Sequence, residues 1–185
     1  GGSATVHFPI WHQEIEDIIV LKNNKGTEDN RVRKLDYSIQ ISKLFYERFI
    51  RNEEISLFSP HDVPGLYDAF GTDRFDRMYI NYESDDRIPR KTVSAQELIL
   101  DLLKERAETG RVYIMNIDHC NSHSSFKDKV NMSNLCQEIT LPTDPIRHID
   151  DDAGEIALCI LSAVNVGKLK NLDEMEELCD LSVRG

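Results

Sequence analysis

The chain has 185 residues, 40% of them hydrophobic and 30% charged, with 33 acidic against 22 basic side chains for a formal charge of −11. That length supports one domain with a real core and is too short to expect two. The acidic balance argues against a nucleic-acid groove, which needs clustered Lys and Arg, and no stretch approaches the roughly 18 to 20 apolar residues of a membrane span.

In chain order, Ile15, Ile18, Ile19 and Leu21 recur at helical spacing after Pro9, and Ile41, Leu44, Phe45 and Phe49 do so after Asp36, which is expected to cap that second helix. The polar, glycine-containing residues 22–30 form a loop between them. Residues 55–58 read as a short strand stopped by Ser59-Pro60, and residues 63–70 and 74–82 as two short helices. The clearest helix covers 94–109: Ser94 and Glu97 fit a capping box, Leu98, Leu102 and Leu103 make its apolar face, and Gly110 suits the left-handed position past its end. Residues 112–117 are a continuous apolar run expected to form a strand covered on both faces. A polar loop, 143–154, separates an extended segment around Cys136 from an apolar strand, Glu155-Ile-Ala-Leu-Cys-Ile-Leu161, and a helical pattern closes the chain from Asn171 to Val183. This rhythm is α/β. The chain starts Gly1-Gly2-Ser3 without methionine and ends with that helical pattern still running, so residues 1–185 are expected to be a piece of a single, incomplete domain.

The chemistry is concentrated in Asn134-Leu135-Cys136-Gln137-Glu138. In an extended segment side chains alternate, so Asn134, Cys136 and Glu138 would share one face, roughly 6.5 to 7 Å apart, about the width of a sugar ring. A free cysteine is more often a buried structural thiol, but a carboxylate beside it is costly in a core, which favours a polar cleft with Glu138 as a candidate general base. Cys159, flanked by Ile156, Ala157, Leu158, Ile160 and Leu161, reads from the residues alone as an inert core thiol, and Cys179 beside Leu178 and Leu181 as a packing residue. Four irregularly spaced cysteines do not make a secreted disulfide framework, which fits a reducing cytoplasm. Cys120 lies at a strand end in Asp118-His-Cys-Asn-Ser-His123; a zinc-stabilised, non-catalytic module using His119, Cys120, His123 and a distant cysteine is the alternative from another class, although the spacing matches no common zinc motif. Plain thiol-disulfide exchange is a third reading. No G-x-G-x-x-G, GxxxxGK[ST] or G-x-S-x-G occurs, so a dinucleotide fold, a P-loop ATPase and a serine hydrolase lose support.

Four long motifs taken together carry a resemblance: Leu57-Phe-Ser-Pro-His-Asp-Val-Pro-Gly-Leu-Tyr-Asp-Ala-Phe70, Thr109-Gly-Arg-Val-Tyr-Ile-Met-Asn-Ile-Asp-His-Cys-Asn-Ser-His-Ser124, Asn134-Leu-Cys-Gln-Glu-Ile-Thr-Leu-Pro142 and Gly154-Glu-Ile-Ala-Leu-Cys-Ile-Leu-Ser-Ala-Val-Asn165. In that order they resemble the middle of the large catalytic subunit of class I ribonucleotide reductase, over essentially the whole chain. The resemblance implies part of a ten-stranded α/β barrel, made of two antiparallel halves of five parallel strands, with Cys136 at the tip of a central finger loop. It implies that Cys136 carries a thiyl radical that abstracts the 3′ hydrogen of a ribonucleoside diphosphate. Glu138 takes the proton of the 3′ hydroxyl, Asn134 hydrogen-bonds the sugar, and Cys159 is half of the dithiol that reduces the 2′ position. Gly1, Gly2 and Ser3 resemble the end of a loop that carries specificity-effector signals to the substrate.

The same resemblance implies no cofactor or metal bound by this segment. The radical comes from a metal-containing small subunit, ATP and deoxynucleotide effectors bind the full-length subunit, thioredoxin or glutaredoxin restores the dithiol, and the full-length subunit is a homodimer. Neither a nucleic-acid nor a membrane partner is expected. The second thiol of the pair, the tyrosines of the radical path and the shuttle cysteines fall outside residues 1–185, so the segment alone is expected to be inactive.

Overall fold

A computed structural model describes residues 2–27 and 31–184. Its centre is a parallel sheet of three strands in the order β1-β2-β5: β1 (Thr5–Pro9), β2 (Asp36–Ile41) and β5 (Val112–Asn116). Register is fixed by pairs such as His7 with Ser38 and Ser38 with Tyr113. β3 (Glu54–Leu57) and β4 (Lys91–Ser94) form a separate antiparallel pair, joined to the chain after β1 by a bridge between His12 and Phe58.

The helices α1 (Ile15–Ile19), α2 (Lys43–Arg51), α3 (Leu66–Ala69), α4 (Phe75–Glu83) and α5 (Ala95–Thr109) bury one apolar face of the sheet. On β2, Tyr37, Ile39 and Ile41 point into this core, where Trp11, Phe45 and Leu57 are fully buried. Phe45 sits amid Phe70, Phe75 and Tyr79, with ring centroids 6.3, 5.9 and 5.3 Å away. The Tyr79 hydroxyl donates to the Ser56 carbonyl at 2.7 Å and accepts the Ser56 N–H at 2.8 Å, which ties α4 to β3. Arg48 forks onto both Glu83 oxygens at 2.6 and 2.5 Å, joining α2 to α4, and this pairing raises the guanidinium pKa.

The expected α5 is present with its caps: Ser94 Oγ accepts the Glu97 N–H at 3.3 Å, and Gly110 takes φ 66°. The expected strand at 55–58 and the helices at 63–70 and 74–82 correspond to β3, α3 and α4. Asp36 is not a helix cap. It opens β2, and α2 starts six residues later from Ser42, with its Lys43 N–H bound by Asp118 Oδ2 at 2.7 Å. A carboxylate 75 positions away therefore does what a local cap would do. Neither β1 nor β4 was expected from the pattern.

Cys120 lies not at a strand end but in the short helix α6 (Ile117–Ser122). The final helix α7 (Leu172–Arg184) buries none of its residues, so Cys179 is exposed rather than packed. Residues 155–161 form no strand: Ile156, Leu158, Ile160 and Leu161 are 70 to 93% exposed. An apolar run becomes a strand only when a neighbour takes its backbone hydrogen bonds, and none of the described strands lies beside it. Beyond Val130 no described residue is buried. No helix among the described residues is long and apolar enough to cross a membrane.

Candidate active site

The sheet face opposite the helical core is polar. Thr5 and His7 on β1 and Ser38 and Gln40 on β2 point the same way, in register, and Ser38 and Gln40 are 0% and 1% exposed. Buried polar side chains need partners, and the loop at 130–139 supplies them. Gln40 Nε2 donates to the Asn131 carbonyl at 2.6 Å, and Thr5 Oγ1 to the Leu135 carbonyl at 2.6 Å. His7 Nε2 lies 3.2 Å from the Ser133 carbonyl and 3.3 Å from the Ser133 N–H. Ser38 Oγ donates to Gln137 Oε1 at 2.5 Å, while Gln137 Nε2 donates to the Ile114 carbonyl of β5 at 2.6 Å. At its start the loop is held by Asn121, whose amide exchanges two hydrogen bonds with the Val130 backbone at 2.9 and 3.0 Å.

The loop is a turn rather than the expected extended run. The Gln137 N–H donates to the Asn134 carbonyl at 3.1 Å, which places Leu135 and Cys136 at its tip. Gln137 has φ 62°, a left-handed conformation that costs a non-glycine residue roughly 1 to 2 kcal/mol. The strict alternation that would set Asn134, Cys136 and Glu138 on one strand face is therefore absent. Asn134 Oδ1 closes the base by accepting the Ile139 N–H at 3.0 Å and the Ser133 hydroxyl at 3.2 Å, which leaves its NH₂ without a partner among the described residues. Cys136 and Glu138 are exposed.

Beside this loop lies an open cavity of about 700 Å³, bounded by Tyr67, Asp68, residues 131–134, Ile139, Leu141, residues 143–145 and residues 155–159. Asn134 and Cys159 both line it; Cys136 and Glu138 do not. Lys129 supports its wall by donating to the Tyr67 and Asp68 carbonyls at 3.3 and 3.0 Å, and burial lowers the pKa of that ammonium. Gly2 and Ser3 are exposed ahead of β1, and Gly1 lies outside the described residues. His119 and His123 meet edge to face at 5.6 Å, but no group of three His, Cys, Asp or Glu side chains suited to a metal occurs among the described residues, so the zinc arrangement gains no support. Burial and Asp118 together raise the Cys120 thiol pKa.

Sequence reasoning passed over Thr5, His7, Ser38, Gln40 and Gln137. The signal was available in Asp36-Tyr-Ser-Ile-Gln-Ile41, which alternates polar and apolar with the period of a strand.

His7 makes the loop anchor pH-sensitive. Burial holds its pKa below the ordinary 6.5, against the opposing effect of the Ser133 backbone. Its stabilisation is therefore full above 6.5 and is lost as the pH falls through the lowered folded value. Relative to intrinsic exchange at each pH, amide protection at residues 131–139 of the full-length protein is expected to fall between about pH 7.5 and about pH 5.5 while that of α5 holds steady. Protection that stays flat across this window would refute the assignment.

An α/β scaffold thus clamps a cysteine-tipped loop over a parallel sheet, with another thiol on the adjoining cavity. The family model described as ribonucleotide reductase, barrel domain, matches residues 1–185, and the chain belongs to that family. It is 58% identical over 189 residues to the ribonucleoside-diphosphate reductase subunit alpha of Haemophilus influenzae, covering 100% of this chain and 25% of that protein. The subunit alpha of ribonucleoside-diphosphate reductase 1 from Escherichia coli is 56% identical over 79% of this chain and 20% of its own length. That of Enterobacteria phage T4 is 42% identical over 100% of the chain and 25% of its length. The chain thus spans about a quarter of the length of the curated relatives it matches.

Proposed function

We propose that residues 1–185 are part of the catalytic barrel domain of a ribonucleoside-diphosphate reductase, a domain completed by chain outside this sequence, and that they carry its thiol chemistry. The observation that carries this reading is Cys136 at the tip of a loop held by side chains from β1 and β2 and by the β5 backbone, with Cys159 on the cavity beside it. The exposed apolar run at 155–161 is where further strands of a ten-stranded barrel would pair, turning Cys159 toward the centre and shielding the finger loop from solvent.

In this mechanism the Cys136 thiyl takes the 3′ hydrogen atom of the ribonucleotide and becomes a thiol. Glu138 accepts the 3′ hydroxyl proton, and the free NH₂ of Asn134 donates to a sugar hydroxyl. The 2′ C–O bond then breaks as water leaves, and Cys159 with a second thiol outside this sequence gives up two electrons and two protons, one proton completing the water and the other forming the new 2′ C–H bond, as the two sulfurs close a disulfide. The hydrogen atom returns from Cys136 to the 3′ carbon, which regenerates the thiyl. A radical-generating, metal-containing small subunit starts the cycle and thioredoxin or glutaredoxin reopens the disulfide. ATP and deoxynucleotides act as effectors on a homodimeric full-length subunit, Gly1, Gly2 and Ser3 belong to the loop relaying them, and the cytoplasm is the compartment.

The test uses the full-length subunit with its small subunit, thioredoxin and a 3′-deuterated ribonucleoside diphosphate. Deoxynucleotide formation with a primary isotope effect is expected, and Cys159→Ser should retain cleavage of the 3′ C–H bond without clean product. Sustained turnover by residues 1–185 alone, or thiol exchange that needs no small subunit, would overturn the reading.

A further inference from the structure

We infer that Gln137 is the positioning residue that aims Cys136 and Glu138; this rests on the proposed function and names the part of the chain that fixes its geometry. Gln137 sits between the two reacting side chains and is one of two non-glycine residues at positive φ among those described. The other, Asn52 at φ 55°, ends α2, where a left-handed asparagine is common and needs no tether. Glutamine is not a usual left-handed residue, so the turn's own hydrogen bonds from Gln137 and Ile139 to Asn134 gain from a further hold outside the loop.

The tether is its own side chain. The Gln137 amide spans two neighbouring strands, accepting from Ser38 Oγ on β2 at 2.5 Å and donating to the Ile114 carbonyl on β5 at 2.6 Å. Ser38 is fully buried and its register partner Tyr113 adjoins Ile114, so both ends of the clamp are part of the rigid sheet. With the amide fixed between two strands, the backbone at 137 is narrowed toward the left-handed conformation it adopts. The peptide on its N-terminal side presents Cys136 and the one on its C-terminal side presents Glu138. With its amide committed to the sheet, Gln137 acts through the backbone: it converts the position of the sheet into the relative aim of a thiol and a carboxylate, which matters because a misplacement of about 1 Å can cost on the order of 10²-fold in rate.

The experiment compares Gln137→Gly, Gln137→Ala, Ser38→Ala and the Gln137→Ala/Ser38→Ala pair in the full-length subunit with its small subunit and thioredoxin. Gln137→Gly is the informative variant, since glycine adopts the left-handed backbone freely and removes only the clamp. The expected result is a fall in kcat of about 10²-fold with KM and thermal midpoint little changed. The 3′-deuterium isotope effect on turnover should rise as hydrogen abstraction becomes slower, and the paired substitution should be no worse than Gln137→Ala alone. Wild-type kcat in Gln137→Gly overturns the inference, as does a loss that appears equally in KM and thermal stability with no change in the isotope effect. Cys136→Ser, measured alongside, separates the two levels: if it remains active the proposed function itself fails, and if it is dead while Gln137→Gly is normal only the positioning role fails.

Discussion

Cys136→Ser in the full-length subunit is expected to lower turnover by about 10⁴-fold or more, the scale on which removing the group that makes the covalent step acts, while substrate affinity changes little. The expectation follows from how the loop is held. Its anchors are Thr5, His7, Ser38, Gln40 and Gln137, and none of these hydrogen bonds uses the sulfur. Serine is close in volume, so the turn should survive and the loss should fall on chemistry alone. An O–H bond is stronger than an S–H bond, so a serine neither accepts the radical from its donor nor returns the hydrogen atom. Cys159→Ser should behave differently, losing clean reduction while still breaking the 3′ C–H bond. Modest and equal losses in the two variants, read as product formation and tritium release from the 3′ position, would remove the assigned roles.

Phe45→Ala should be the most damaging single change to the fold. Phe45 is fully buried and touches Phe70, Phe75 and Tyr79, three rings contributed by the residues from α3 to α4. Truncation removes the transfer energy of the ring and leaves a void that those neighbours can only partly fill, about 3 to 5 kcal/mol in total. Against a typical domain stability of 5 to 15 kcal/mol that is a large share, and a drop of several degrees in the barrel's thermal midpoint is expected. Phe45→Leu keeps most of the volume and should cost less. A shift under about 2 °C for the alanine variant, measured by circular dichroism on the full-length subunit, would mean that the aromatic cluster is not the keystone described.

The family was legible in the chain itself, because four long motifs carry it and the match covers residues 1–185. So were the bounds of α5, whose start at Ser94 and stop at Gly110 are written within one helix length, although its buried stripe takes Ile99 with Leu98 and Leu102 and leaves Leu103 exposed. The elements that escaped notice are those whose reason lies elsewhere. β2 falls inside the helix expected from an Asp36 cap; its own alternation signals a strand, and the loop at 130–139 is what buries its polar side, Ser38 and Gln40. β4 has only four residues and exists by pairing with β3, and α2 takes its cap from Asp118. The segment around Cys136 looked extended since nothing in Asn-Leu-Cys-Gln-Glu announces a left-handed glutamine; that conformation needs Ser38 and Ile114.

Sequence by itself determined the α/β class, the family and the side chains that can do thiol and carboxylate chemistry, since all of these depend on residue identity and on patterns shorter than about one helix. Only the tertiary structure decided where those side chains stand: Asn134 with Cys159 on one cavity, Cys136 at the tip of a clamped turn, and 155–161 without a pairing strand. The physical reason is that a loop's conformation and a strand's existence are set by the hydrogen-bond partners that distant segments bring, and such partners leave no mark in the local pattern.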